Sequence, residues 1–324
     1  MSEAVTATQP YSFGYKFKNI LRVMYTLPFV LASLTGAAFA LTIRPDYLLA
    51  FLIPLDVFFL ALFVNLSNDY FDHKSGTDKV RFKIIDQAQA EGTSGELSSK
   101  TYWQGNSFDR GLITDRGGQM LLVAIVAAAI LVALPIIYFG GWLVLVLGGV
   151  GIFLSYFYTA PPLNLGARGL GEVDVAVSFA FMSFFTYFVM VQQFSWLMLL
   201  IAATVGMNIM LMRIIDEMSG LEAHIAAGEK DLVVRLGIDG VTKVVQGVLI
   251  AMYLLCAVLI FFDWTFALLF LTLPLGLRVV RYLKHRDEKF WIMRPVLEIF
   301  KLAQSHMLLV IVALILQSVV TFAL

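Results

Sequence analysis

The sequence is short of the residues that build disulfide-stapled or soluble proteins. Cys256 is the single cysteine among 324 residues and sits inside an apolar run, so neither an internal disulfide nor a multi-cysteine metal site can form. It reads as a packing or lipid-facing residue. Charged residues make up 14% of the chain, and 23 basic residues balance 23 acidic ones. That balance leaves no global field to attract nucleic acid or an acidic partner. Four scattered histidines give no haem or zinc motif. The N-terminal stretch MSEAVTATQPYSFGYKFKN has acidic and polar residues ahead of its basic cluster and no small-residue cleavage site, unlike a secretory signal peptide.

What the chain has in excess is apolar surface. It is 60% hydrophobic, with a mean hydropathy of +0.83, against about 45–50% apolar content in soluble domains. A helix needs about 20 mostly apolar residues to cross a bilayer. Nine stretches meet that need: Tyr25–Ile43, Tyr47–Val64, Met120–Phe139, Trp142–Phe157, Val173–Val191, Trp196–Met212, Val244–Phe262, Thr265–Leu283 and Ala303–Phe322. The fourth is short, and its helix is expected to extend beyond the hydrocarbon. The reading is an all-α, multi-pass membrane protein with nine transmembrane helices in one domain, residues 1–324.

The links alternate between short (IRPD, GG, QQFS, DW) and long and polar. Of the 23 Lys and Arg residues, 22 fall on the face with the long links, and Arg44 falls on the other. The positive-inside rule puts that face, with the N-terminal segment 1–22 and the loops 73–118 and 213–243, in the cytoplasm, as expected for a protein of the plasma membrane. The run Arg278–Arg294 has basic residues interleaved with apolar ones and reads as a juxtamembrane anchor for anionic lipid.

The second apolar stretch ends in NLSNDYFDHKSGTD, Asn65–Asp78, with two asparagines and three aspartates. If its helix continues through Asp72, then at about 100° per residue Asn68, Asp69 and Asp72 lie roughly −60°, +40° and −20° from Asn65. All four share one face, and Asp78 can fold back from the GT turn. Amide and carboxylate oxygens so placed suit a hard cation, Mg²⁺ in particular, which is commonly held by one or two carboxylates plus water and substrate phosphates. Lys74, Lys79, Arg81 and Lys83 follow, positioned to take the phosphate oxygens. A merely solvated helix end is the weaker reading, because acids at a helix C-terminus oppose the macrodipole and require a compensating cation.

NDYFDHKSGTD resembles the first aspartate-rich motif of the UbiA superfamily of intramembrane prenyltransferases, most of all the branch containing the 1,4-dihydroxy-2-naphthoate prenyltransferases of menaquinone biosynthesis. Asn68, Asp72 and Asp78 carry the match. YTAPPLNLGARGLGE, Tyr158–Glu172, resembles the family's loop after the fourth helix, with Arg168 as its basic residue, and AAGEKDLVVRLG resembles a downstream segment containing Lys230. The second aspartate motif departs from the family: counting back from Gly228 places Gly220 and His224 where two aspartates usually stand. An insertion of about one helical turn would restore Asp216, and Asp216 and Glu222 are the favoured acids there.

The resemblance implies a helical bundle around a central cavity, and Mg²⁺-dependent transfer of a prenyl group from an isoprenyl diphosphate donor to an aromatic acceptor inside the lipid bilayer. The implied metal ligands are Asn68, Asp72, Asp78, Asp216 and Glu222. Lys74, Lys79, Arg81, Lys83, Lys230 and Asn68 would surround the diphosphate and metal, while Asp72, Asp216, Arg168 and Tyr158 would act in catalysis. Tyr70, Phe71, Tyr156 and Tyr158 could face an allylic cation with their π systems, although aromatics also gather at membrane interfaces. The branch points to a naphthoate acceptor. Hydroxybenzoate, a porphyrin-derived ring or a glycerol-phosphate lipid are the alternatives, and a transporter with acidic ion sites is the competing class. Transporter sites usually lie near the bilayer midplane, whereas both acid clusters here sit at one face. Asp56 stays outside the predicted site, and Glu172 and Asp174, near the start of the fifth stretch, are read as either cap residues or pocket acids.

Overall fold

In the computed structural model, residues 12–76, 106–158, 162–221, 224–225, 228, 230–286 and 291–323 are described, and among them there is no β-strand. Asp78, Lys79, Arg81, Lys83 and Glu222 lie outside the described residues. The helices are α1 Phe13–Ile20, α2 Val23–Leu41, α3 Tyr47–Ser75, α4 Asp115–Gly140, α5 Leu143–Phe157, α6 Gly171–Val191, α7 Trp196–Ser219, α8 Leu232–Ile260, α9 Leu273–Lys284 and α10 Met293–Ala323. A 3₁₀ stretch, Trp264–Thr272, leads into α9.

Each of the nine apolar segments falls on a helix. Among the described residues seven spans are long and apolar enough to cross a bilayer, and α1 with α2 makes an eighth if this pair, bent by 58°, is one span. The fourth segment forms α5, which stops at Phe157 after 15 residues and so is about 22 Å long. The expected extension is not seen, because the Pro161–Pro162 pair follows and proline cannot continue a helix.

Capping side chains start these helices at defined residues. Asp46, Thr114, Ser195 and Asp231 accept hydrogen bonds from the amides of Leu49, Gly117, Met198 and Val234, satisfying donors that a helix start leaves open. With 29 residues, α3 is about 43 Å long, well beyond the roughly 30 Å hydrocarbon core. Its acid-rich last turns therefore project past the lipid tails. Gly76 stops it in a left-handed conformation (φ 78°), its amide bonding to the Asp72 carbonyl at 2.9 Å; α8 likewise starts 12 residues before the predicted Val244.

Helix α7 is the most enclosed span. It packs against α2, α6, α8 and α10 through fully buried Ile201, Val205, Ile209, Leu211 and Ile215. In lipid, helices associate through close packing and interhelical hydrogen bonds rather than through a hydrophobic driving force, and both are present. A Cβ on Gly36 would stand 2.0 Å from the Ser183 carbonyl, and one on Gly206 would stand 2.4 Å from the Ala176 carbonyl. The Ser33 and Thr186 hydroxyls hydrogen-bond at 2.9 Å, and Ser183 donates to the Ala32 carbonyl at 2.8 Å. Cys256 packs in the core. His306 lies within α10, fully buried against Thr204 at 3.1 Å. Helix α4, by contrast, turns Met120, Val123, Ile130 and Leu131 outward.

Candidate functional site

The polar residues collect at one end of the bundle, where α3, α5 and α7 finish and α2, α4, α6 and α8 begin. Contacts between helix ends establish this. Arg22, before α2, meets Asp69 near the end of α3, and Phe71 of α3 meets Tyr156 of α5 at 6.0 Å. Arg213 of α7 stacks over Tyr158 at 5.6 Å, and Glu172 of α6 accepts from the Leu232 amide of α8 at 2.6 Å. The opposite end has Arg44, which donates to the Met190 carbonyl at 3.2 Å.

At the α3 exit, Asn65, Asn68, Asp69 and Asp72 do share one helix face, since the helix runs unbroken to Ser75. Their surroundings differ. Asp69 is 1% exposed; it pairs with Arg22 at 2.9 Å and accepts from the Ser107 amide at 3.2 Å. Asn106 donates to the Asp69 carbonyl at 2.7 Å, and Ser107 donates to the Asn19 carbonyl at 3.2 Å. Asp69 thus ties the α1–α2 junction and the 106–112 loop to α3. Arg22 reaches it from a left-handed backbone conformation (φ 46°) that is uncommon outside glycine. Asn68 and Asp72 remain half-buried on the adjoining surface, and the buried Asn65 amide nitrogen has no hydrogen-bond partner among the described residues. Lys74, predicted to take phosphate, is held by Asp115, and His73 bonds Asp109 at 2.6 Å.

The α7 exit is arranged around an arginine. Glu217 is fully buried 2.8 Å from the Arg213 Nε, a separation without hydrogen-bond alignment, and the Glu172 carboxylate stands beside it. Asp216 is about a third exposed and lies 3.7 Å from Arg213. The Tyr158 hydroxyl is buried without a hydrogen-bond partner among the described residues. Burial, partly offset by the Arg213 charge, raises its phenol above the ordinary range, so it stays protonated near neutral pH.

The α7–α8 connection has its own polar support. Asp231 both caps α8 and accepts from His224. Burial there works against ionisation, yet the bonds from His224 and the Val234 amide hold this carboxyl below its usual range. A Cβ on Gly220 would come within 2.8 Å of the His224 Nε2, so the glycine makes room for the imidazole. Gly169, at φ 80°, passes so close to Lys230 that a Cβ would be 2.2 Å from its carbonyl. Arg168 is exposed and donates to its own loop, to the Pro162 carbonyl at 2.9 Å, while its carbonyl accepts from Arg235 at 3.0 Å. The Lys230 side chain is exposed.

The predicted residues Asn68, Asp72, Tyr158 and Asp216 therefore share one end of the bundle. Among the described residues no three His, Cys, Asp or Glu side chains converge on a single metal position. At the α3 exit the donors are one carboxylate and one amide, Asp72 and Asn68, a set that suits Mg²⁺, whose remaining positions go to water and phosphate. Arg213 was no part of the predicted site, and Glu217 was not among its favoured acids. The visible signal was an arginine and a glutamate four residues apart near the end of a largely apolar helix, a spacing that lets the two meet. The meeting of His224 with Asp231 had no such signal.

This architecture defines a class: an all-helical, multi-pass membrane protein with a polar site of acids, arginines and tyrosines at one end of its bundle. Residues 27–292 match the UbiA prenyltransferase family, and the chain belongs to that family. The chain is similar to the 2-carboxy-1,4-naphthoquinone phytyltransferase of Synechocystis sp., being 31% identical over 152 residues that cover 45% of this chain and 50% of that protein. It thus spans about half the length of that curated relative. It also resembles in fold the UbiA homologue from Archaeoglobus fulgidus bound to Cd²⁺ (TM-score 0.62, 15% identity, covering 92% of this chain and 99% of the other). The same homologue bound to DMAPP and Mg²⁺ gives a TM-score of 0.60 at 18% identity, covering 91% and 99%.

Proposed function

We propose that this protein is a Mg²⁺-dependent intramembrane prenyltransferase that moves a prenyl group from an isoprenyl diphosphate to an aromatic acceptor, a naphthoate of quinone biosynthesis. The observation that carries the reading is that the α3 and α7 exits lie at one end of the bundle, joined stepwise through the end of α5 by Phe71–Tyr156 and Tyr158–Arg213. A diphosphate seated there would extend its prenyl chain among the apolar helices. The naphthoquinone-directed relative supports the acceptor class, and the DMAPP- and Mg²⁺-bound homologue supports the donor class and the ion. Nine crossings, a cytoplasmic N-terminus and a plasma-membrane location complete the reading, which rests on the charge asymmetry of the links.

Asn68 and Asp72 would hold the ion, with Asp78 contributing from the following segment. When bound, the ion neutralises the leaving diphosphate, which eases ionisation of the allylic C–O bond. The protein's own residues do the rest. Asp69, pinned by Arg22 and Ser107, fixes the last turns of α3 so that Asn68 and Asp72 keep one orientation. The rings of Phe71, Tyr156 and Tyr158 border the path between the two exits, where their π faces would favour a developing allylic cation. The surrounding helices keep water from that cation, and the acceptor ring attacks it and then loses a proton or carbon dioxide.

Purified protein incubated with labelled isoprenyl diphosphates of several chain lengths and a panel of naphthoate, benzoate and other acceptors tests this. Prenylated naphthoate is the expected product, lost with EDTA and regained with Mg²⁺. Transfer to another acceptor alone would reassign the substrate. No transfer to any acceptor, together with ion flux that ignores EDTA, would favour the transporter reading.

A further inference from the structure

The two exits do not offer the same chemistry to a diphosphate. The α3 exit presents Asn68 and Asp72, oxygen donors for an ion. The α7 exit presents a guanidinium: Arg213 lies between fully buried Glu217 at 2.8 Å and Asp216 at 3.7 Å, with its charge over the Tyr158 ring at 5.6 Å. The acids around it already have structural duties. Glu172 caps α8 through the Leu232 amide, and Asp231 caps the same helix while binding His224. The Gly220 and His224 positions are filled by an imidazole packed on a glycine. A second cation would have to settle beside the fixed positive charge of Arg213, at an unfavourable electrostatic cost.

We infer that Arg213, positioned by Glu217, takes the diphosphate oxygens on the α7 side, in the place of a second metal ion held by Asp216 and Glu222. This rests on the proposed diphosphate site and deepens it. A guanidinium offers five N–H donors in a planar fork that matches phosphate geometry. The Asp216 contact, at 3.7 Å, is longer than a hydrogen bond, and a phosphate oxygen arriving at the same guanidinium would make the shorter, charge-assisted bond. Glu217 keeps the side chain in place from four residues along the helix and, being fully buried, does not follow the ligand into solvent. The α7 exit thereby supplies permanent positive charge, and the α3 exit supplies charge that depends on the divalent ion.

The test measures binding rather than turnover. Detergent-purified protein is titrated with inorganic pyrophosphate in the presence of Mn²⁺, with pyrophosphate affinity read by calorimetry and bound Mn²⁺ counted by electron paramagnetic resonance. The wild type is expected to hold one Mn²⁺ per chain. Arg213→Gln should weaken pyrophosphate binding by about tenfold to a hundredfold with one Mn²⁺ still bound, and Arg213→Lys should recover part of the loss. Because Arg213→Gln alone strands a buried carboxylate, the double variant R213Q/E217Q, which removes both charges together, is measured beside it and should bind pyrophosphate as weakly. Two Mn²⁺ per wild-type chain, or wild-type pyrophosphate affinity in the double variant, overturns the inference and leaves the prenyltransferase reading intact. Failure of the wild type to bind pyrophosphate at all overturns both.

Discussion

Two helices of this protein leave the membrane at the same end, each carrying acids, and they resolve the electrostatic problem in opposite ways. On α3 the nearest arginine, Arg22, comes from another helix junction and neutralises Asp69, leaving Asn68 and Asp72 half-buried beside it. On α7 the arginine belongs to the same helix and pairs with Glu217, the most buried acid there. Acids at a helix C-terminus are disfavoured by the macrodipole in either case. What differs is where the compensating charge comes from. A distant arginine leaves the neighbouring acid face to the proposed ion; one a turn away occupies the face itself.

Variants that break this contrast have graded effects. Replacing Asp72 with Ala should have the largest, lowering prenyl transfer by about a hundredfold to a thousandfold or more while the protein remains folded and membrane-inserted; full activity in this variant would remove the α3 ion site. Asp69→Ala should act on stability instead. It strands Arg22 and releases the 106–112 loop, at a cost of about 3 kcal/mol, visible as a lower thermal midpoint in detergent and faster proteolysis around residues 106–112. Gly36→Ala tests the scaffold that holds the exits together. Its new Cβ would meet the Ser183 carbonyl at 2.0 Å, so α2 and α6 must separate, and a loss of about 1–3 kcal/mol is expected. The smallest effect belongs to Asp216→Ala, whose partly exposed contact with Arg213 should be worth under about 1 kcal/mol. Glu217→Ala, which strands Arg213, should cost clearly more, and equal thermal midpoints for the two variants would mean that the Arg213–Glu217 pair does not organise the α7 exit.

The first acid-rich stretch was legible in the sequence because all of its information is local. A helix that continues through Asp72 fixes the shared face of Asn65, Asn68, Asp69 and Asp72 by periodicity alone, and α3 does continue to Ser75. Which of these side chains is spent on structure was not legible, because Arg22 and Ser107 are 47 and 38 residues away from Asp69. The second stretch was harder for a related reason. Its acids were ranked by alignment to a motif across an insertion, whereas burial ranks them by which way each side chain turns: Glu217 inward and Asp216 toward the edge.

The sequence by itself determined that this is a helical membrane protein, where its apolar helices lie, and that its charge collects on one face. Those properties follow from the cost of leaving backbone polar groups or charges in lipid, which acts on each segment separately. Tertiary structure alone decided which carboxylate is a buried strut and which lies on the adjoining surface, and that an arginine stands at the centre of the α7 exit. Each of those outcomes depends on contacts between helix ends that are brought together only when the bundle packs.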